Sequence, residues 1–112
     1  MLYLSTHQGP EFYPGTGWEM SYETGGGRGV VNAALSAGAG GDEFRAAVTE
    51  KVWPAIRSFD PDLLILSSGF DGHANDPLAS IYLTGVLPWA VSGRIASFCL
   101  HSGLIFMSFV VR

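Results

Sequence analysis

The chain has 112 residues, of which 47% are hydrophobic and 14% are charged, and its formal net charge is −4. This length fits one small domain, and so low a share of charge argues against an intrinsically disordered chain. The acidic balance and the lack of a basic run argue against direct nucleic-acid binding. The single cysteine, Cys99, excludes an internal disulfide framework and a zinc site of several cysteines. Because the N-terminus also lacks a secretory signal pattern, we expect a cytoplasmic protein.

The first third of the chain predicts two strands separated by a long loop. Residues 1–6 (MLYLST) are apolar and alternating, and residues 30–35 (VVNAAL) form a second short apolar run, so both predict strands. Residues 7–29 form the loop between them, which is rich in glycine and contains several aromatic residues. Loops of this length are uncommon unless they are functional or disordered. The aromatic residues favour order, either as the wall of a pocket or as ordinary loop packing.

An amphipathic helix is predicted next, after a turn at residues 36–41. Asp42 is the predicted N-cap, with Glu43 in the first turn. Pro54 lies inside the helical pattern and is expected to kink the helix or end its regular part. Apolar residues at three- and four-residue spacing predict a helix of about 15 residues; they are Phe44, Ala47, Val48, Val52 and Ile56.

Residues 63–67 (LLILS) form an unbroken apolar run, which predicts a strand buried on both faces, as in a parallel sheet between helices. The order strand, loop, strand, helix, strand is typical of an α/β domain. Functional residues in such domains gather beyond the carboxyl ends of the strands. In this chain that position is occupied by residues 68–73 (SGFDGH).

Asp71 and His73 are the foremost chemical candidates in that segment. Both residue types are competent zinc ligands, and a catalytic zinc ion needs three protein ligands. The alternative is that Asp71 caps the following turn, which aspartate often does. The spacing of the two residues leaves both interpretations open.

The remaining candidates favour structural roles. Asp76 before Pro77 predicts a turn and cap, and His7 after a strand predicts a hydrogen-bonded structural histidine. The run Gly25–Gly29 predicts a tight turn, since it lacks the phosphate-loop pattern. No nucleophile motif supports serine catalysis, and Cys99 lies in an apolar tail.

Several segments, taken together in their order and approximate spacing, resemble the histone deacetylase superfamily, and the bacterial deacetylase and acetylpolyamine amidohydrolase branch above all. The resemblance covers residues 1–84. The segments that carry it are Tyr3–Gln8 (YLSTHQ), Phe12–Gly17 (FYPGTG), Val31-Asn32, Pro61–His73 (PDLLILSSGFDGH) and Asp76–Leu78 (DPL).

The resemblance implies an α/β fold of the arginase and deacetylase type, with three layers and a mostly parallel sheet. It implies hydrolysis of an acetyl-lysine or acetylpolyamine amide by a zinc-activated water, with Asp71 as one of the zinc ligands and His73 as a bystander. It also implies a substrate channel and a structural potassium ion. The channel residues would be Phe12, Tyr13, Gly69 and Phe70, and the residues near potassium would be Ser5 and Thr6.

The same resemblance implies that the domain is partial. The upstream Asp-x-His ligand pair, the tandem histidines and the downstream catalytic tyrosine of the family have no counterpart here, so no catalytic residue is assigned and we expect no activity from the chain alone. We divide the chain into a partial deacetylase-like domain at residues 1–84 and an unmatched apolar tail at residues 85–112. Two alternatives stand beside this interpretation. One is a non-catalytic interaction module that pairs with another subunit as an oligomer, and the other is membrane anchoring through residues 95–111.

Overall fold

The protein is represented by a computed structural model, which describes residues 1–9, 11–12, 15, 17, 22–24, 28–69, 71–84 and 105–110. The described elements in chain order are three strands, three helical segments and two further strands, and both element types occur as the sequence predicts for an α/β domain. They are strands β1 (Leu2–Gln8), β2 (Tyr22–Thr24) and β3 (Arg28–Leu35), helix α1 (Gly41–Ala47), a π-helical segment (Val48–Val52), helix α2 (Trp53–Phe59), and strands β4 (Leu63–Ser68) and β5 (Ile105–Val110).

The described strands form two sheets. The first has the order β1-β3-β2, in which β1 and β3 are parallel and β2 is antiparallel to β3. The second pairs β4 with β5 in parallel. The predicted α/β fold with a mostly parallel sheet is therefore confirmed. The prediction that the loop begins at His7 is wrong, because the ladder to β3 continues through the pair Gln8 and Leu35 and satisfies the backbone polar groups there.

The beginning of α1 corrects the predicted N-cap. Gly40, not Asp42, is the cap residue, and it has an extended backbone with φ −114° and ψ −156°. The carboxylate of Glu43 accepts a hydrogen bond from the backbone N–H of Gly40 at 2.9 Å, which satisfies one of the free donors of the first turn. Hydrogen bonds from the backbone N–H groups of Glu43 itself and of Gly40 lower the pKa of the Glu43 carboxyl group. Asp42 lies in the first turn and pairs with Arg45 instead.

Pro54 interrupts the regular helix, as the sequence predicts. It occupies the first turn of α2, directly after the π-helical segment. Proline has no N–H to donate, and its ring would clash with the carbonyl group four residues earlier in a regular helix. A widened turn relieves that crowding, which explains why the π-helical segment precedes Pro54.

Helix α2 ends at Asp60, which has a left-handed backbone with φ 49° and ψ 64°. This conformation is strained for a residue with a Cβ atom, and the aspartate charge also lies at the negative end of the helix dipole.

We expect Asp60→Gly to raise the free energy of unfolding by about 1 kcal/mol, measured by urea denaturation. The control Asp60→Asn removes only the charge, and its gain should be smaller. A stability of Asp60→Gly at or below that of the wild type would contradict this explanation.

The core lies between β3, the helical segments and the chain around Ile81. Leu35, Ala39 and Ile81 form a buried cluster against which Phe44 and Ala47 pack. Among the described residues, Ile56 is the most deeply buried large side chain, with 2% of its surface exposed.

Strand β4 departs from the sequence prediction of burial on both faces. Leu63 is 45% exposed and Ile65 is 58% exposed, so one face of β4 meets solvent in the described part of the molecule. An apolar strand in a parallel sheet normally has both faces covered by helices. The prediction of two-sided burial is therefore wrong for the described residues, although the strand itself and its parallel pairing are confirmed.

The predicted tail is described only at β5, since residues 85–104, which include Cys99, lie outside the described residues. The division after Thr84 therefore stays a prediction. The segment at residues 95–111, considered above as a membrane anchor, is a strand where it is described. No helix in the described ranges is long and apolar enough to cross a membrane.

Candidate functional site

The candidate site consists of two connections, each at the carboxyl end of a strand. One follows β4 and is described at Gly69 and at residues 71–73, and the other follows β1 and is described at residues 9, 11–12, 15 and 17. Carboxyl ends of parallel strands are where α/β domains place their functional side chains. Each connection is held by its own set of contacts.

Asp71 lies in the turn after β4, with its side chain exposed. Its carboxylate folds back over Gly69, because a Cβ atom built on Gly69 would lie 3.0 Å from Asp71 Oδ1. Among the described residues, none donates a hydrogen bond to this carboxylate. The described residues also contain no group of three His, Cys, Asp or Glu side chains that could hold a metal ion.

Gly72 fixes the turn against the core. A Cβ atom on Gly72 would lie 3.0 Å from Ile81 Cδ1, which is a tight contact, and 3.4 Å from Leu83 Cδ1, which is an ordinary one, so glycine here lets the buried Ile81 side chain approach closely. Leu83 N–H donates to Gly72 O at 3.0 Å, and Ala74 N–H donates to Leu83 O at 2.9 Å. The position of Asp71 is therefore set by a packed segment further along the chain rather than by its own turn alone.

The segment Ser80–Leu83 also reaches the first sheet. Ser80 N–H donates to Gln8 Oε1 at 2.7 Å. Gly38 N–H donates to Ser80 O at 2.7 Å, and Tyr82 N–H donates to Ala39 O at 2.8 Å. The segment thus connects the Asp71 turn to β1 and to the connection between β3 and α1. Sequence analysis missed it, although the alternation of Ile81 and Leu83 with polar neighbours is the period-two pattern of an extended segment.

His73 and Asp76 make local contacts. The backbone N–H of Asn75 donates to His73 Nδ1 at 3.1 Å, so one ring nitrogen is used within the turn. Asp76 Oδ1 accepts a hydrogen bond from Leu78 N–H at 2.9 Å, and Asp76 N–H donates to His73 O at 2.8 Å. Asp76 therefore forms the turn that the sequence predicts, and the described residues after it contain no helix for it to cap. The role of His73 as a bystander stays a prediction.

The loop after β1 is held by His7. His7 Nε2 is 2.7 Å from Gly17 O, and Ser5 Oγ is 2.9 Å from His7 Nδ1, which confirms the prediction of a hydrogen-bonded structural histidine. Gly15 N–H donates to Phe12 O at 2.7 Å and closes a tight turn. The roles of Phe12 and Gly69 in a substrate channel, and of Ser5 and Thr6 near potassium, stay predictions.

Three predicted features fall outside the described residues. They are the channel residues Tyr13 and Phe70 and the glycine run at residues 25–27.

The comparisons with known proteins agree with one another on the family that this chain resembles. A family model described as "Histone deacetylase domain" matches residues 1–107. The chain is 39% identical over 85 residues to a "Probable deacetylase" of Archaeoglobus fulgidus, covering 75% of this chain and 23% of that protein. It is 38% identical over 96 residues to "Histone deacetylase 10, chloroplastic" of Oryza sativa subsp. japonica, covering 85% of this chain and 21% of that protein.

A solved structure has the same fold. The acetylpolyamine aminohydrolase of Burkholderia pseudomallei superposes with a TM-score of 0.78 at 27% identity, covering 98% of this chain and 32% of that one. The chain therefore spans about a fifth to a third of the length of these relatives.

Proposed function

Because the chain belongs to the histone deacetylase family, we propose that it is part of a zinc-dependent deacetylase domain that hydrolyses acetyl-lysine or acetylpolyamine amides. The observation that carries the proposal is the exposed Asp71 carboxylate at the carboxyl end of β4, in a fold that superposes on an acetylpolyamine aminohydrolase. The name of that relative supports an acetylated polyamine as one of the two substrate classes. The division at Thr84 and the cytoplasmic location remain part of the same proposal.

The residues present fit such a metal only in part. A carboxylate is a competent zinc ligand, and a catalytic zinc site uses three protein ligands and one open position. Asp71 offers one, and no group of three potential ligands occurs in the described ranges. We therefore assign Asp71 as one ligand of a set that the described residues do not complete.

The other residues of the site have positioning roles in this proposal. Gly69 leaves room for the Asp71 carboxylate, since any side chain there would meet Oδ1. Phe12 belongs to the loop after β1, and with Tyr13, Gly69 and Phe70 it would line the channel for the acylated side chain.

A structural potassium ion near Ser5 and Thr6 is also part of the proposal. When the Ser5 hydroxyl donates its proton to His7 Nδ1, the lone pairs of Oγ stay available to a cation. A neutral oxygen donor of this kind suits a hard cation.

The chain alone is inactive in this proposal. One protein ligand of three does not give tight zinc binding, and no catalytic base is assigned in the chain to activate a water molecule. We expect the purified chain to release no acetate from acetyl-lysine peptides or from acetylated polyamines, with or without added zinc, in an assay that detects free acetate. Turnover that disappears in Asp71→Ala would contradict inactivity while supporting the family function.

The family function is tested in a chimaera. In it, residues 1–84 of this chain replace the matching segment of the Burkholderia pseudomallei acetylpolyamine aminohydrolase. We expect the chimaera to bind zinc and to release acetate from an acetylated polyamine, because the host supplies the missing ligands. A chimaera that has the circular dichroism spectrum of the host and binds zinc, but has no activity, would contradict the proposal.

A further inference from the structure

We propose that His7 is a positioning residue that clamps the carbonyl group of Gly17 and so fixes Gly17 against β1. The inference rests on the proposed function in one respect, since that function makes the loop after β1 a wall of the acyl channel. The clamp itself follows from distances and from the chemistry of an imidazole ring.

The protons of the clamp can be assigned from its partners. A carbonyl oxygen only accepts hydrogen bonds, so His7 Nε2 must carry the proton that it donates to Gly17 O across 2.7 Å. In the neutral ring, Nδ1 is then the acceptor, and the Ser5 hydroxyl donates to it across 2.9 Å. The contact with Gly17 O selects the tautomer with the proton on Nε2, and the Ser5 hydroxyl, which can donate or accept, fits that tautomer as the donor to Nδ1.

Gly17 fits this clamp closely. A Cβ atom on Gly17 would lie 2.6 Å from His7 Nε2 and 2.9 Å from Cε1, and its φ is +83°. Gly15 has a similar φ of +75°, but a Cβ atom added there would have nothing within 4 Å. Both positions therefore favour glycine for backbone reasons, and only Gly17 needs it in addition to let the imidazole ring approach.

The base of the clamp is rigid. His7 lies in β1 opposite Ala34 of β3, in a parallel ladder that begins at the pair Leu2 and Gly29. Directly after the strand, Gly9 N–H donates to Leu35 O at 3.1 Å. The imidazole ring therefore joins the fixed backbone of β1 at His7 directly to Gly17, ten residues further along the chain.

The consequence is that Gly17 is held in place before any substrate arrives. The hydrogen bond from Gly15 N–H to Phe12 O closes a turn shortly before Gly17. Holding the end of the loop at Gly17 reduces the conformational freedom of that turn. A wall that is already ordered loses less entropy when it binds a ligand.

The first test reads the clamp in the unsubstituted chain and uses one variant only to assign the signal. The full chain is labelled with ¹⁵N at its histidines, and the ring nitrogens are observed by NMR at alkaline pH, where imidazole is neutral. We expect the ring that disappears in His7→Gln to have a protonated Nε2 and an unprotonated Nδ1. A proton on Nδ1, or rapid averaging between tautomers, would overturn the proposal.

The second test separates the clamp from general packing. The amide nitrogen of glutamine reaches the position of His Nε2, whereas that of asparagine reaches only the position of Nδ1. We expect His7→Gln to keep the hydrogen exchange of the Gly15 amide within about twofold of the wild type, and His7→Asn to accelerate it about tenfold. Equal exchange in the two variants would overturn the proposal. Neither measurement uses a metal or a substrate, so failure of the deacetylase function would leave the clamp standing, and failure of the clamp would leave that function untouched.

Discussion

Asp71→Asn is expected to abolish acetate release by the chimaera that carries residues 1–84 of this chain. The substitution keeps the size of the side chain but removes the negative charge that a zinc ligand needs. Loss of a partner that only orients a zinc ligand costs roughly 10–100-fold in affinity or activity, so loss of a ligand itself should reduce kcat/KM by more than about 100-fold. Zinc content, measured by elemental analysis of the purified protein, should fall in parallel.

His73→Gln is the matched control for Asp71→Asn. It lies two residues away in the same turn, and its ring Nδ1 accepts a hydrogen bond from Asn75 N–H, which is a local role. We expect its kcat/KM within about threefold of the chimaera and its zinc content unchanged, since an exposed turn contact is worth only about 1 kcal/mol. If His73→Gln loses zinc while Asp71→Asn retains it, the assignment of ligand and bystander is reversed and the proposal is wrong.

The sequence predicts correctly that Asp71 follows a strand, because the local run of apolar residues specifies where that strand lies. The apolar run of residues 63–67 predicts the strand, and β4 is found at Leu63–Ser68. The pairing of β4 with β5 could not be predicted in the same way, since residues 105–110 lie far along the chain and an apolar run does not specify which strand it pairs with. Tertiary packing determines which strands pair in parallel, and the hydrophobic pattern along a single strand does not specify its partner.

Two further features could not be predicted from sequence motifs: the residue that caps α1 and the contact that supports the Asp71 turn. Asp42 has the residue type of an N-cap, yet Gly40 is the cap because the Glu43 carboxylate reaches the N–H of Gly40. Likewise, the contact between Gly72 and Ile81 depends on two segments that meet only in the folded chain. Local residue preferences predict which elements form, and the exact end of an element depends on which partner its backbone finds.

The second large effect is expected at Ile56, the most deeply buried large side chain of the described residues. Ile56→Ala removes most of a buried side chain from the core and leaves a cavity, which typically costs about 2–5 kcal/mol. Single domains are stable by only about 5–15 kcal/mol, so this is a large share of the total. We expect the midpoint of urea denaturation to fall sharply, or the variant to be unfolded without urea. A loss below about 1 kcal/mol would contradict the core assignment.

Ile65→Ala makes the same chemical change on an exposed face, and it distinguishes the chain alone from the complete domain. Ile65 is 58% exposed on β4, so in the isolated chain its replacement should change stability by less than about 0.5 kcal/mol. In the chimaera, host segments are expected to cover that face, because a parallel sheet is normally covered on both sides. There the same substitution should cost about 2 kcal/mol or more and lower the Tm by several degrees. If Ile65→Ala changes stability equally little in both proteins, this face of β4 is exposed to solvent in the complete domain as well. The prediction of burial on both faces would then be wrong for the whole deacetylase domain.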